Sequence, residues 1–146
     1  EGVGILFDTY REGILLDRYL ETVAIKYDLS FEDVKLIFYL SQADEGCTLK
    51  EMSDVTQIKR RKLITSIQKL ISKEYIKLKT PVDLDKKKSA KVECEFLNNA
   101  ESIIFDLLTA KSTYLQVKYS GFTEEEIEQY EVLAARMREN VQRALK

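Results

Sequence analysis

The apolar residues of this chain follow the period of an α-helix along most of its length, and this pattern is interrupted only once. Spacings of three and four residues recur in five stretches, which are residues 3–27, 34–40, 60–73, 99–117 and 127–141. Residues 75–79 and 91–96 alternate instead, as half-buried strands do. One proline and five glycines among 146 residues are too few for a sandwich or barrel with its frequent turns. The sequence therefore predicts a mainly α protein with one small β-hairpin.

Three of the predicted helices begin with a capping box. The boxes are Ser-Phe-Glu-Asp at 30–33, Thr-Leu-Lys-Glu at 48–51 and Thr-Glu-Glu-Glu at 123–126. In each of them the first hydroxyl can accept a hydrogen bond from the third following N–H, and the acid can bond back. The box at 30–33 is the weaker one, because aspartate stands where glutamate or glutamine is preferred. These signals place helix starts near residues 31, 49 and 124.

The charge of the chain is divided unevenly along the sequence. The formal net charge is −2 and the pI is about 5.4. Residues 56–95, however, hold 12 cations and 5 anions, a charge of +7, which leaves −9 for the remainder. Four of these cations, Lys59 to Lys62, stand at the start of the helix predicted at 60–73, where they oppose the helix dipole. An ordinary solvated helix face would avoid that arrangement, so the pattern favours contact with a polyanion.

The short helix at 49–55, a turn and the cationic helix at 60–73 form a helix-turn-helix pattern. In this motif the second helix lies in the DNA major groove. Leu63, Ile67 and Leu70 are then structural, and the 80–91 hairpin loop is a wing beside the DNA. The candidate DNA contacts are Lys59, Arg60, Arg61 and Lys62 for phosphates, Thr65, Ser66 and Lys69 for bases, and Lys86, Lys87 and Lys88 for the flanking backbone.

Four stretches resemble the MarR (multiple antibiotic resistance regulator) family of winged-helix transcription regulators, and in particular its staphylococcal accessory regulator (SarA-like) branch. They are Tyr-Asp-Leu-Ser at 27–30, Leu-Lys-Glu-Met at 49–52, Asp-Lys-Lys-Lys at 85–88 and Gly-Phe-Thr-Glu-Glu-Glu-Ile at 121–127. Their order and spacing cover nearly the whole chain. The sequence departs from the family pattern at the wing, where Lys87 stands in place of the usual arginine. Lysine is a weaker bidentate partner than arginine, so deep insertion into the minor groove is not expected.

The resemblance implies one domain over residues 1–146, with a winged helix-turn-helix lobe at 30–98 and dimerisation helices at 1–27 and 100–146. The 3-4-3-4 apolar spacing of the last helix is typical of a seam between helices and also favours a homodimer. The dimerisation residues predicted are Leu6, Tyr10, Ile127, Tyr130, Ala134, Met137 and Val141. Two recognition helices roughly 34 Å apart would read a pseudo-palindrome in double-stranded DNA. The simplest output of such a bacterial, cytoplasmic regulator is repression.

Several other classes of protein are disfavoured by what the sequence lacks. The chain has no histidine, no glycine-rich phosphate loop and no Cys/His cluster, so we expect neither catalysis nor a metal or cofactor. No apolar run approaches the ~20 residues of a membrane span. Cys47 and Cys94 have acidic neighbours in the sequence, which disfavour a thiolate, so both are expected to be inert, reduced thiols.

Two questions about partners stay open at the level of sequence. A winged helix can also serve as a protein–protein module, whose basic face would here meet an acidic partner, because fold alone does not fix function. A sequence-specific DNA reader should prefer its own site by about 10³-fold or more, and an adaptor should not. The resemblance further implies a possible small-molecule effector, whose identity and binding residues the sequence does not specify.

Overall fold

A computed structural model describes residues 2–43, 46–84 and 91–146 of the chain. The helices and strands are α1 Gly2–Leu6, α2 Asp8–Lys26, α3 Phe31–Gln42, α4 Leu49–Thr56, α5 Arg60–Ser72, β1 Ile76–Leu78, β2 Cys94–Phe96, α6 Glu101–Lys118 and α7 Glu124–Leu145, with a short 3₁₀ turn at Asn98–Ala100. The prediction of a mainly α protein with a small β-hairpin is confirmed. The chain divides into two compact units, Glu1–Ser112 and Thr113–Lys146, which are described separately below.

All three predicted capping boxes are present. At α3, the N–H of Asp33 donates to the Ser30 hydroxyl at 3.0 Å, and the Asp33 carboxylate accepts from the N–H of Ser30 at 3.1 Å. The starts of α4 and α7 repeat this reciprocal pair. Each box satisfies backbone donors that the first turn of a helix leaves without partners.

The N-terminal region differs from the single helix predicted over residues 3–27. The helix is interrupted at Phe7, whose backbone (φ −105°, ψ 0°) leaves the α-helical region. The N–H of Phe7 donates to the carbonyl of Gly4, three residues back, so the chain makes a tighter turn there before α2 begins. Apolar spacing continued across this position, so periodicity alone did not reveal the break.

The core of the first unit is built around α3, α4 and α5. The large side chains buried here include Leu36, Ile37, Met52, Leu63, Ile67, Leu70, Ile76, Ile103 and Leu107. Leu63, Ile67 and Leu70 all lie on the inner side of α5, as predicted. Packing of this stripe against the core fixes the rotation of α5 about its own axis. This rotation determines which side chains of α5 face outward.

A left-handed residue connects α5 to the hairpin. Glu74 has φ +61°, and the N–H groups of Glu74 and Tyr75 donate to the carbonyls of Ile71 and Leu70, which is a Schellman ending. Glycine is the usual residue at such a position because it has no Cβ. The chain nevertheless has a glutamate there.

The hairpin is antiparallel and pairs Ile76 with Phe96 and Leu78 with Cys94. Its strands are shorter than the predicted ones, 75–79 and 91–96. Val92 forms an isolated antiparallel bridge with Cys47, which precedes α4 and lies outside the hairpin. The wing-tip lysines predicted to contact DNA, Lys86, Lys87 and Lys88, lie outside the described residues.

In the second unit, α7 has no buried residue. Its exposed apolar side chains are Tyr130, Val132, Leu133, Met137, Val141 and Leu145. This wide apolar surface is exposed in the single chain. No helix among the described residues combines the length and apolar character that a membrane span requires.

Candidate nucleic-acid interface

The outward face of α5 is defined by which of its residues are buried. Leu63, Ile64, Ser66, Ile67 and Leu70 point inward. The exposed residues are Arg61, Lys62, Thr65, Gln68 and Ser72. Arg61, Thr65 and Gln68 follow one another at spacings of four and three, so they form one ridge along the helix.

The N-terminus of α5 is strongly positive. Lys59 is its N-cap residue, makes no side-chain capping hydrogen bond, and is followed by a first turn without an acidic residue. The unpaired N–H groups and the dipole therefore add to the side-chain charges at this end. In the part of the chain that the structure describes, Lys59 and Arg61 have no ion-pair partner. The end of the helix is suited to holding an anion such as a phosphate.

Arg60 has a role that the sequence did not indicate. Its guanidinium donates from Nη2 to the carbonyl of Leu84 at 2.8 Å, and Leu84 is a buried residue at the base of the hairpin loop. This contact joins the start of α5 to the wing. Arg60 was predicted to bind phosphate, and the structure instead directs at least one of its donors to the protein backbone.

Lys62 stands on the outward side of α5, where its side chain is 68% exposed. Its ammonium lies 3.2 Å from the Glu32 carboxylate, in the first turn of α3. An exposed pair of this kind contributes little to stability. It does place a negative charge beside one of the cations predicted to contact DNA.

Two of the predicted base contacts are engaged within the protein: Ser66 is buried, and the half-exposed Lys69 pairs with Asp33. Ser66 is 6% exposed and lies close enough to Asp33 to help lower the pKa of that carboxyl. The Lys69 ammonium donates to the same carboxylate at 2.5 Å. Burial raises the pKa of Asp33, but hydrogen bonds from Lys69, Ser66 and Ser30 outweigh it and leave this pKa below its usual value. Ser66 as a base reader is therefore corrected to a buried partner of Asp33, and Lys69 to the partner that neutralises its charge.

Gln68 is the residue that sequence reasoning missed. It lies three residues after Thr65 and seven after Arg61, on the exposed ridge. A helical wheel anchored on the buried stripe at Leu63 and Ile67 would have found it. The charges and the adjacent hydroxyls pointed to Lys69 and Ser66 instead. Thr65 keeps its predicted outward position, with its hydroxyl donating to the carbonyl of Arg61 at 3.1 Å.

The two cysteines lie away from this ridge. Cys47 is buried and Cys94 is half-buried, and both are free thiols. Burial raises the pKa of Cys47, against an opposing hydrogen bond from Tyr39, and burial raises the pKa of Cys94 to about 11. Both shifts disfavour the reactive thiolate, in agreement with the expectation of inert cysteines.

A groove of about 390 Å³ lies between α3 and the end of α4. Its lining is mainly apolar and includes Phe38, Tyr39 and Val55, with Lys35 and Gln42 at its edge. The volume is within the range of small-molecule sites. The groove touches Thr56, the last residue of α4, just before the turn into α5.

Comparison with known proteins gives similarity in structure and none in sequence. No family sequence model matches the chain, and no curated protein matches it. Solved structures of MarR family transcriptional regulators are similar along nearly the whole chain. One from Silicibacter pomeroyi has a TM-score of 0.76 at 14% identity, covering 94% of this chain and 89% of that one.

Two further structures extend this similarity. A MarR transcriptional regulator from Methanosarcina mazei Go1 has a TM-score of 0.73 at 14% identity, covering 99% of this chain and 93% of that one. A MarR family transcriptional regulator from Listeria monocytogenes, complexed with a 26mer DNA, has a TM-score of 0.70 at 18% identity, covering 93% and 87%. The chain therefore has the winged-helix fold of MarR family regulators.

Proposed function

We propose that this protein is a MarR family transcription regulator that binds double-stranded DNA in a sequence-specific manner. The observation that carries the proposal is the outward face of α5, where Lys59, Arg61 and Lys62 surround a positive helix N-terminus on a winged-helix scaffold. The similar fold of a regulator complexed with DNA supports it. Within the family, the motifs quoted above favour the SarA-like branch.

In this proposal the α5 N-terminus enters the major groove and its cations bind phosphates. Such contacts supply most of the affinity and make it depend on salt. The exposed ridge of α5 faces the base edges, and the lysines at 86–88 hold the flanking backbone. The charge of −9 outside residues 56–95 repels DNA from the other faces and so favours one orientation.

We further propose that the protein is a homodimer formed by its terminal helices, over residues 1–27 and 100–146. The predicted interface residues Leu6, Tyr10, Met137 and Val141 are all exposed in the single chain, as a helix surface reserved for a partner would be. Ile127 and Ala134 are partly exposed on α7. A two-fold dimer would present two copies of α5 to successive major-groove segments of a pseudo-palindrome.

The proposed output is repression in the bacterial cytoplasm, by occupying DNA that polymerase needs. An apolar small molecule in the groove between α3 and α4 would be a suitable effector, because the groove adjoins the turn that leads into α5. The proposal assigns no catalytic role, metal or cofactor to the protein.

Selection against a random duplex library at physiological salt tests this proposal, with anisotropy on the enriched sequence. The Lys59→Ala/Arg61→Ala variant should lose binding to that sequence. The Lys50→Ala/Lys77→Ala variant removes the same charge from exposed positions outside the proposed DNA contacts and the terminal helices, and should retain it. Enrichment of a two-fold symmetric motif supports a dimeric DNA reader. Micromolar binding without any motif contradicts it and favours the alternative, a module that binds an acidic protein.

A further inference from the structure

The amide of Gln68 is an exposed recognition group with no hydrogen-bond partner among the described residues. It stands on the ridge that also carries Arg61 and Thr65. The neighbouring polar residues of α5 are already engaged: Lys62 pairs with Glu32 and Lys69 with Asp33. Gln68 is therefore a hydrogen-bonding side chain of the second half of α5 that remains available to a ligand.

The spacing along α5 matches the spacing of bases. Arg61 and Gln68 are seven residues apart, which at about 1.5 Å per residue is roughly 10 Å along the helix axis. Base pairs rise about 3.4 Å each, so the two side chains reach positions about three base pairs apart. Thr65 lies between them and can approach an intervening pair.

Gln68 and Arg61 select different bases, because their side chains offer different hydrogen-bonding groups. A glutamine amide can donate to N7 and accept from N6 of adenine at the same time, whereas an arginine guanidinium donates twice to guanine O6 and N7. A threonine methyl group packs on the thymine methyl. Each good bidentate contact makes the affinity for a site with the wrong base measurably weaker.

We propose that Gln68 is a specificity-determining residue, which reads an adenine about three base pairs from a guanine that Arg61 reads in each half-site. This inference rests on the proposed function, since it names the bases that the α5 ridge would select. It replaces the reading surface expected from sequence, Thr65, Ser66 and Lys69, with one formed by Arg61, Thr65 and Gln68. Arg61 thereby changes from a phosphate contact to a base contact, and Lys59 and Lys62 keep the phosphates.

Parallel selections with the wild type, Gln68→Ala and Gln68→Glu test the assignment. We expect Gln68→Ala to lose the preference for adenine at one position of each half-site and to bind the wild-type site about 5- to 150-fold more weakly, with its affinity for random duplex unchanged. Gln68→Glu should move the preference at that position towards cytosine, because a carboxylate accepts from the N4 amine. Gln116→Ala, an exposed glutamine on α6, should select the wild-type motif.

Two results would overturn the assignment. The first leaves the proposed function intact, and the second removes it as well. If Gln68→Ala selects the wild-type motif with unchanged affinity while Arg61→Ala does not, Gln68 reads no base and the proposed function stands. If the wild type itself enriches no motif, the proposed function fails together with this inference. Thermal unfolding of each variant, followed by circular dichroism, confirms that altered selection does not reflect misfolding.

Discussion

The carboxylate of Asp33 and the ammonium of Lys69 lie 2.5 Å apart, and this contact joins the first turn of α3 to the outer side of α5. The Asp33 side chain is 2% exposed and that of Lys69 is 39% exposed. The same carboxylate also accepts from the N–H of Ser30, and the buried Ser66 helps to lower its pKa. A buried charge with these donors fixes the position of α5 relative to α3.

Replacing Lys69 by alanine should destabilise the protein and alter its response to acid. The pKa of Asp33 is below its usual value in the folded state, so the pair stabilises the fold above pH ~4. That contribution disappears as the pH falls through the lowered pKa. Lys69→Ala should reduce the free energy of unfolding by about 1–3 kcal/mol at pH 7, since the carboxylate stays buried with one donor fewer. Below pH ~3 the difference from the wild type should shrink.

Urea unfolding at pH 7, 5, 4 and 3 measures this difference. Lys62→Ala is the matched control, because its partner Glu32 is far more exposed and the loss should stay below about 1 kcal/mol. Equal losses in the two variants, or a loss in Lys69→Ala that is independent of pH, would contradict the role given to Asp33.

Glu32→Gln should strengthen DNA binding. In the free protein Glu32 lies 3.2 Å from Lys62, so a phosphate must compete with this carboxylate for the ammonium. We expect about 2- to 5-fold higher affinity at low salt for specific and random duplexes alike, from an exposed pair of about 0.2–1 kcal/mol. The gain should fade as salt is raised. Anisotropy titrations at several salt concentrations measure it.

A double-mutant cycle separates the pair from the general field of the carboxylate. In a Lys62→Ala background, Glu32→Gln should leave DNA affinity nearly unchanged. An equal gain in both backgrounds would show that Glu32 acts on DNA without Lys62. Glu21→Gln, which removes an exposed carboxylate from α2, should have little effect in either background.

How well the sequence predicted each structural feature depends on how close together in the chain the residues that produce it lie. The capping boxes at 30–33, 48–51 and 123–126 are interactions within one turn, and all three are present. The order of helices and hairpin followed from hydrophobic period, which reports the buried stripe directly. The break at Phe7 was missed, because a one-residue departure hardly changes that period.

The sequence predicted the candidate site on α5, and the structure leaves only some of the residues predicted there on the exposed side of that helix. Lys59, Arg61 and Thr65 remain on the exposed side of α5. Ser66 and Lys69 instead meet Asp33, which is 33 or more residues earlier in the chain. No local pattern records such a long-range partner. The capping box already accounted for an acidic residue at position 33, so the contact of Asp33 with α5 was not predicted.

Both cysteines should react slowly with a thiol reagent in the folded protein. Burial raises the pKa of Cys47 and raises that of Cys94 to about 11, so little thiolate is present at pH 7.5. Ellman's reagent should label both thiols rapidly in urea and neither within minutes under native conditions. A cysteine introduced by Ser72→Cys, on the exposed side of α5, should react at once as a control. Fast native labelling of Cys47 would instead reveal an accessible, activated thiol.

Met137→Glu should convert the proposed homodimer to monomers. Met137 is 58% exposed in the single chain and lies one turn from Val141 on α7. A two-fold interface buries two copies of Met137, one from each protomer, and each copy contributes about 1.5–3 kcal/mol. A glutamate at this position loses that contribution and adds the cost of desolvating a buried carboxylate. The dissociation constant of the dimer should therefore rise at least about 100-fold, as measured by sedimentation velocity over a dilution series. Gln142→Glu adds the same charge to another side of α7 and should leave the dimer intact. An unchanged dimer in Met137→Glu would place the interface on other residues, and a monomeric wild type would contradict the dimer altogether.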